Sequence, residues 1–524
     1  MPRFTLPLLV DFSTRVDTTN LAKATYIQNG YVKTDITPKV YNRTGIKESM
    51  GQGTNIHIIA SCPYSPGTGF VTGIAFVGYE STLGHTGFYL VDGSGGAPVL
   101  KQVLATALTY YGADIVPVVN AASGLKQDYW VRLHTISGGT GNTTWRIAPD
   151  VSVTVIDSDP DYPGVFATGY AGTAYLDKYV FVLASQGAAR PAIWNSDLDD
   201  LTSWNALGYI AVELREGLGV GIETYKNHVV FFGTRNIQFF YNAGQPAPGS
   251  PLRPRQDLVY NFGLHSNTLL GAKSWWKSTK GDVLAFIGST LDRKKFIGLF
   301  NDFAAERISN DFIDGILEQY NSISITGYSN YGKQFIHVCI GGQLSLYYDI
   351  DTKLWHVFNS SIPNLAANPY LVNSVFPANV GGTSLLSYAP GSASPSAPHG
   401  RSYRFDDSIN ARQDTDNNSV TTPINLIIQT SRYRGEPDYR AQRKFHHELQ
   451  VIGDTLPGAD TISVQYSDDD YQTFSAARTI DMTQSKKQLQ KLGYFRERAF
   501  KLTYSGTQQV RLEAVEGQVQ TGTN

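Results

Sequence analysis

Few residues of this 524-residue chain have the types and spacing that chemistry at a site requires. The ten histidines are scattered, and the adjacent pair His446-His447 lies in a run that favours a β-strand. Successive side chains of a strand point to opposite faces, so this pair is not expected to hold one metal ion. The sequence contains no Gly-rich phosphate loop ending in Lys-Ser or Lys-Thr, no G-x-S-x-G elbow and no paired-cysteine zinc spacing. We therefore expect no catalytic residues, no metal ligands and no cofactor.

One stretch nevertheless points to an enzyme class. Ser467–Phe474 reads SDDDYQTF and resembles the Asp-box turn of sialidases and other propeller glycosidases, S-x-D-x-G-x-T-W; Ser196–Trp204 is a looser version. In that motif the Ser and Asp side chains bond to the backbone of their own turn, so it stabilises a hairpin and performs no catalysis. Tyr471 stands where Gly is usual, and Phe474 replaces Trp. A sialidase also needs an arginine cluster and a Tyr–Glu nucleophile pair, which spacing alone does not assemble. A propeller glycosidase or a carbohydrate-binding receptor protein is therefore kept as the alternative function.

Exposed aromatic rings would be the basis of sugar binding without catalysis. Trp275 and Trp276 are adjacent in a strand-like segment, so one ring is expected in the core and the other at the surface or at an interface. A contact between subunits explains the second ring as well as a sugar platform does.

The elements that position these residues are predominantly short strands. Val229–Gly244 reads VVFFGTRNIQFFYNAG, two apolar runs on either side of a polar turn, which predicts a β-hairpin. Similar runs recur at Lys178–Ala184, Asp282–Gly288, Gln334–Ile340 and Leu344–Ile350. The exception is Glu306–Tyr320, where Asn310 can cap a short amphipathic helix whose apolar residues fall on one face.

The amino-acid composition favours a strand-rich protein without a basic surplus. The chain has 50 Gly and 24 Pro against three Met, which suits turns and strands, and 43 Lys and Arg against 45 Asp and Glu, a formal net charge of −2. A protein that grips nucleic acid needs a basic surplus, whereas a near-neutral surface lets it pass. The short basic groups Asp292–Lys295 and Arg440–Lys444 lie near acids and are interpreted as solvated turns.

Cysteine usage and the N-terminal segment indicate the compartment. Cys62 and Cys339 are far apart and lie in or beside apolar runs, which predicts buried free thiols and folding in a reducing compartment. Asp11 interrupts the first apolar run too early for a signal peptide, and no run approaches the ~18 apolar residues of a membrane span.

The order of these elements predicts an all-β protein with three parts. Between Gly164 and Phe405 strand groups recur about every 40–50 residues, the spacing of four-stranded propeller blades. We predict an N-terminal arm at 1–50 that forms part of a platform, a β-propeller of six or seven blades at 51–410, and a C-terminal β-sandwich or platform domain at 411–524. The Pro/Ser/Gly-rich Ala389–Gly400 and the polar Asp406–Asn418 are expected to be exposed loops.

Several segments, taken in order, resemble the tail hub or nozzle of short-tailed bacteriophages, the family also called packaged-DNA stabilisation proteins. They are listed from the N-terminus: ATYIQNGYV from Ala24, Asn42–Gly45, Asp157–Pro163, Tyr175–Val182, Asn195–Leu207, Phe231–Gly244, Glu306–Ser309 with the helix that follows, SDDDYQTF and Leu492–Phe500. Thr44 replaces the usual Pro, and the insertions at Gly95–Thr106 and Ala389–Gly400 have no counterpart in the family.

The resemblance implies a structural role in the virion. Proteins of this family form a homohexameric tube below the portal and its adaptor ring, retain packaged double-stranded DNA and conduct it during ejection. They anchor tail fibres, spikes, or a plug or needle protein. The resemblance further implies location in the virion tail, assembly in the host cytoplasm and a ring whose subunits present different surfaces to their two neighbours.

Overall fold

The structure, a computed structural model, describes most of the chain between residues 3 and 522. The described residues are 3–8, 11–12, 24–34, 38–43, 46–50, 56–64, 73–80, 83–92, 99–105, 110–119, 127–135, 143–148, 152–163, 172–186, 190–212, 217–245, 248–265, 273–278, 282–330, 333–340, 344–359, 374–380, 383–389, 401–405, 413–415, 421–435, 442–458 and 460–522. The predicted loop Ala389–Gly400, beyond its first residue, and most of Asp406–Asn418 lie outside them.

The described part of the N-terminal segment contains five short strands. They are β1 (Arg3–Pro7), β2 (Tyr26–Gln28), β3 (Gly30–Thr34), β4 (Pro38–Asn42) and β5 (Ile46–Met50). Strands β3 and β4 form a hairpin with each other, and the other three pair with strands from distant parts of the sequence.

Among the described residues, seven small antiparallel sheets follow, and the first four are formed from consecutive strands. The first contains β6 (Ile56–Tyr64), β7 (Gly73–Glu80), β8 (His85–Asp92) and β9 (Val99–Ala105), and the second contains β10 (Tyr110–Val119), β11 (Gln127–Thr135), β12 (Thr144–Ile147) and β13 (Val153–Val155). The third contains β14 (Thr173–Leu176), β15 (Tyr179–Gln186), β16 (Arg190–Asp197) and β17 (Asp200–Ala211), and the fourth contains β18 (Gly219–Tyr225), β19 (His228–Gly233), β20 (Ile237–Asn242) and β21 (Leu252–Tyr260).

The last three sheets vary this pattern. The fifth contains β22 (Gly263–Leu264), β23 (Trp275–Lys277), β24 (Val283–Ser289), β25 (Lys295–Asn301) and β26 (Ala304–Arg307). The sixth contains β27 (Ile323–Asn330), β28 (Lys333–Ile340), β29 (Leu344–Asp349) and β30 (Leu354–Val357). The seventh contains β31 (Ser374–Val380), β32 (Thr383–Ala389) and β33 (Arg401–Phe405), and the N-terminal β5 pairs with β33 as its fourth strand.

These sheets form a closed ring. Contacts run from β6 through β10 and β14 to β18, then through the fifth sheet to β27 and β31, and β31 contacts β6 again. Seven radial sheets that close on themselves are a seven-bladed β-propeller, in which packing between sheets buries the faces that a single small sheet would expose. The predicted fold class, all-β with a propeller of six or seven blades, is confirmed.

Apolar side chains fill the spaces between successive blades. Val131 and Trp145 lie in the core between blades one and two, and Phe232, Trp275 and Phe286 lie in the core between blades four and five. The wedge between blades five and six also holds the helix α1 (Asp311–Leu317), which buries Phe312, Ile313, Ile316 and Leu317. The predicted Asn310 cap is confirmed, since its side chain accepts a 2.9 Å hydrogen bond from the Ile313 amide. The helix ends at Leu317, before the end of the predicted segment at Tyr320, and Glu306 and Arg307, which precede the cap, pair in β26.

The remaining strands lie in the C-terminal part of the chain, and all but the first two belong to two packed sheets. They are β34 (Gln413–Thr415), β35 (Thr421–Pro423), β36 (Leu426–Gln429), β37 (Lys444–Gly453), β38 (Thr461–Ser467), β39 (Arg478–Asp481), β40 (Gln488–Phe495), β41 (Ala499–Tyr504) and β42 (Arg511–Thr521). One sheet has the order β3-β4-β42-β37-β40, with β1 also paired to β42, and the other contains β36-β41-β38-β39. Strands β34 and β35 extend the seventh propeller sheet instead.

Strand β2 joins this C-terminal unit to the propeller. Tyr26–Gln28 pairs antiparallel with β36 and meets β30 of blade six at Gln28 and Val357, which gives one sheet of nine strands. Side chains from both packed sheets, including Val32, Leu449, Val464 and Leu502, form one buried core.

Candidate assembly surfaces

The Asp-box-like turn uses its polar groups on itself. The Ser467 hydroxyl accepts a 2.9 Å hydrogen bond from the Tyr471 amide, and one Asp469 oxygen accepts a 2.9 Å bond from the Thr473 amide. Tyr471 has a φ of 62°, the left-handed conformation for which Gly is usual in this motif, and its hydroxyl donates to the Thr430 carbonyl at 2.9 Å. Hydrogen bonds from the Thr473 hydroxyl, which has the largest effect, from the Thr473 amide and from the Ser467 hydroxyl lower the pKa of Asp469 to about 2. The turn thus carries the stabilising role predicted for it.

Two of the family-like segments, Asp157–Pro163 and Asn195–Leu207, pack against each other beside blade two. The Asp159 carboxylate accepts a 3.2 Å hydrogen bond from the Trp204 amide. The Trp204 ring is buried, lying 4.8 Å from Tyr162 and 5.9 Å from Trp130 between ring centroids. The looser Asp-box version therefore also supplies packing.

The adjacent aromatic and histidine pairs point to opposite faces, as predicted. Trp275 is buried between blades four and five, whereas Trp276, predicted to lie at the surface or at an interface, is half-buried and packs on the core between blades five and six. His446 is fully buried, and His447 faces outward to Gln520. Among the described residues, no group of three His, Cys, Asp or Glu side chains could hold a metal ion. Cys62 and Cys339 are buried free thiols, which confirms that prediction.

The two basic groups, Asp292–Lys295 and Arg440–Lys444, each contain a buried lysine, unlike the solvated turns predicted for them. Lys295 is buried, and its ammonium donates to the Leu317 and Tyr320 carbonyls at the end of α1. Lys444 is also buried, and it donates to the Gln442 and Arg496 carbonyls. Burial lowers the pKa of both ammonium groups. Arg293 and Lys294 do lie on the surface, while Arg440 lies outside the described residues.

A buried ion pair joins the N-terminal segment to the propeller. The Arg43 guanidinium contacts both Asp414 oxygens, at 2.9 and 2.7 Å, and donates to the Asn359 carbonyl at 2.7 Å. Arg43 is 3% exposed and Asp414 is fully buried. The Asn29 side chain accepts a further bond from Arg43 at 3.2 Å. Arg43 therefore connects β2, the end of blade six and the strand β34 that extends blade seven.

A second ion-pair cluster crosses the centre of the propeller. Lys273, just before β23 of blade five, lies 2.5 Å from Asp114 on β10 of blade two. Lys277 lies 2.8 Å from Glu223 on the innermost strand of blade four. Burial opposes the charge of Lys273, but Asp114 and Glu223 hold its pKa above the usual value. Because blades two and five are not neighbours, this pair spans the axis of the ring.

Sequence reasoning missed this axial cluster. Asp114 lies within β10 and Lys273 lies just before β23, so neither residue carries a signal in the sequence that would pair it with the other. Only closure of the ring brings the two together.

The fold and these contacts define a structural class, a seven-bladed β-propeller joined to a β-sandwich. Residues 168–376 match the family model described as bacteriophage P22 Gp10, beta-propeller. The resemblance to this bacteriophage family, predicted from the sequence motifs, is therefore confirmed for this part of the chain.

Other comparisons gave more remote similarities. The extracellular domain of the hybrid two-component system BT4673 from B. thetaiotaomicron aligns at 10% identity and a TM-score of 0.40, covering 74% of this chain and 46% of that chain. TolB from Acinetobacter baumannii aligns at 13% identity and a TM-score of 0.28, covering 55% of this chain and 63% of that chain. This chain thus spans less than two thirds of either structure. No curated protein matched the sequence.

Among the described residues, no helix has the length and the apolar character that crossing a bilayer requires.

Proposed function

We propose that this protein forms the tail nozzle or hub of a short-tailed bacteriophage, below the portal and its adaptor ring. In this role it retains packaged double-stranded DNA, conducts the DNA during ejection and anchors tail fibres or spikes, with a plug or needle protein as a further partner. The observation that carries the proposal is the match of residues 168–376 to the phage propeller family. The order of family-like motifs outside that range supports extending it to the whole chain.

The proposed assembly is a homohexamer built in the host cytoplasm and located in the virion tail. We propose the division into an arm at 1–50, a propeller at 51–410 and a platform at 411–524, with β5 of the arm donated to the last blade. The arm and the C-terminal sheets share one core, which supports treating them together as the assembly platform. The propeller then projects outward or forms the tube wall.

The charge distribution supports a DNA path between subunits instead of through the propeller. The axis of the propeller is crossed by the Asp114–Lys273 pair, whose Asp114 is 2% exposed. A channel surrounded by six copies of a chain with formal net charge −2 would let DNA slide, since few phosphate counterions are exchanged.

A structural role, as opposed to an enzymatic one, accounts for the motifs that suggested chemistry. The Asp-box-like groups bond within their turn, and the paired histidines and tryptophans pack on opposite faces. The glycosidase alternative gains no supporting contact from them.

The function can be tested with heads assembled and packaged in cells that lack this protein. We expect such heads to lose DNA on purification. They should retain it when the purified protein is added to the cell lysate before the heads are purified. The measurement is nuclease-protected DNA per particle, with a propeller-only fragment, residues 46–410, as the control addition. Full DNA retention in particles without the protein would contradict the proposal.

A further inference from the structure

A surface on one face of blades four and five has the properties of a docking site. Here an open cavity of about 710 Å³ is lined by the turn between β19 and β20, the turn between β24 and β25 and the end of α1. We call it the rim cavity. Leu218 and Leu291 line it while remaining 64% and 53% exposed, and Arg235 and Arg293 stand beside them. A second cavity of about 460 Å³, lined by Phe262 and Phe296, adjoins it at Thr290 and Lys295.

The charge available at the rim cavity is positive. Arg235 and Arg293 are exposed, and neither guanidinium group has a hydrogen bond or ion pair in the part of the chain that the structure describes. Glu318, the acid that lines the cavity, accepts a hydrogen bond from the Lys295 amide at 2.5 Å, and Asp292 is exposed in the same turn. Burial lowers the pKa of the lining His265, so it stays neutral near pH 7. Two free guanidinium groups beside two exposed leucines fit a segment that carries both carboxylates and an apolar side chain.

The chain itself presents such a segment on blade three. The turn between β16 and β17 contains Asp197, Leu198, Asp199 and Asp200, and we call it the acidic turn. Leu198 at its tip is 57% exposed. Asp199 pairs with the exposed Lys178 at 2.5 Å, a contact of the kind that contributes little and exchanges readily with another partner.

The two surfaces lie on opposite faces of the propeller. Each blade is an antiparallel meander, so the turns from first to second and third to fourth strand share one face, and the turns from second to third strand share the other. The acidic turn connects a third to a fourth strand, whereas Arg235 and Arg293 lie in turns between second and third strands. The acidic turn of one molecule therefore cannot occupy the rim cavity of the same molecule, but the acidic turn of a neighbour oriented head to tail can.

We propose that the rim cavity binds the acidic turn of a second copy of this chain, with Leu198 seated against Leu291 and the carboxylates facing Arg235 and Arg293. The proposal rests on the proposed homohexamer and names one of its contacts between subunits. A contact between different surfaces of identical subunits is the kind that generates closed rings. One turn in a cavity buries too little surface to hold a ring alone, so this contact adds to those of the platform.

Cross-linking tests the contact directly, since both native cysteines are buried. The double variant L198C/L291C of the full-length chain is treated with a short bismaleimide and resolved on a denaturing gel. We expect a ladder of covalent multimers up to the hexamer. The variant L207C/L291C is the matched control, because Leu207 is 60% exposed on the same blade but lies away from the turn, and it should remain monomeric on the gel.

Charge variants supply an independent readout. By sedimentation, R235E/R293E rings should dissociate at about tenfold higher protein concentration than the wild type, and adding D199R/D200R to the same chain should restore part of the loss. If the wild type forms rings but L198C/L291C gives no ladder and R235E/R293E gives no shift, the contact is overturned and the hexamer is not. A wild-type chain that stays monomeric at all concentrations and on the adaptor would overturn both the contact and the proposed assembly.

Discussion

Arg43 holds three parts of the chain together through one buried guanidinium. Its partners are the Asp414 carboxylate, the Asn359 carbonyl and the Asn29 side chain. A buried carboxylate that loses its cation is left without compensation in a medium of low polarity, which is much more costly than the loss of an exposed pair. The stability of the junction therefore depends on single residues.

We expect Arg43→Met to lower the free energy of unfolding by about 3–5 kcal/mol. The matched control is Lys353→Met, which removes an exposed 3.0 Å pair with Glu306 and should cost less than about 1 kcal/mol. Urea unfolding followed by tryptophan fluorescence measures both variants. Equal, small losses in the two would contradict the role given to Arg43.

His446 makes the sandwich sensitive to acid. Burial, with the neighbouring Arg498 charge, lowers its pKa to about 3, whereas in the unfolded chain an ordinary histidine has a pKa near 6.5. Between these values the unfolded chain binds the proton and the folded chain does not, so stability falls as pH falls. Above about pH 5 the ordinary carboxylates stay ionised, which isolates the histidine contribution.

Between pH 6.5 and 5 we expect His446 to contribute a slope approaching about 1.4 kcal/mol per pH unit. His446→Leu should remove this part of the slope, and His447→Gln, which changes the outward-facing neighbour, should leave it in place. Urea midpoints measured across the pH range decide the matter. An unchanged slope in His446→Leu would show that another group is responsible. His356, whose pKa burial lowers to about 4, adds a similar dependence in both variants.

Elements that pair with their neighbours in sequence were predictable, and those that pair over long distances were not. The hairpin of β19 and β20 and the helix after Asn310 follow from local apolar patterns, turn residues and a cap. Strand β2 has three residues and β5 has five, too few for a periodic signal. Their places are set by partners far along the chain, Ile428 for Ile27 and Phe405 for Ile46. The axial pair Asp114–Lys273 was unpredictable for the same reason.

The contribution of the β5–β33 pairing to propeller stability can be tested with two fragments. Without β5 the last blade loses the strand that joins the N-terminal segment to the end of the propeller, and the edge of β33 becomes unpaired. We expect the fragment 56–410 to melt at a lower temperature than the fragment 46–410, measured by circular dichroism. Identical melting temperatures would show that β5 does not stabilise the ring.

At the scale of the whole molecule, both ends of the sequence meet in one sheet. Strand β42 pairs with β1, β4 and β37, so the C-terminal unit cannot be completed until the N-terminal strands are in place. The all-β class and the propeller could be predicted from the recurrence of strand groups. That the N-terminal segment contributes to both the propeller and the sandwich could not, since its strands carry no repeat.

The proposed function requires this chain to assemble as a ring on the portal–adaptor complex. The most direct measurement is the mass of the full-length protein alone and after mixing with that complex, by light scattering, with negative-stain imaging of the product. We predict a sixfold ring, alone or seated on the adaptor. A stable monomer that does not bind the adaptor would contradict it and would direct attention to sialosides and host glycans as ligands.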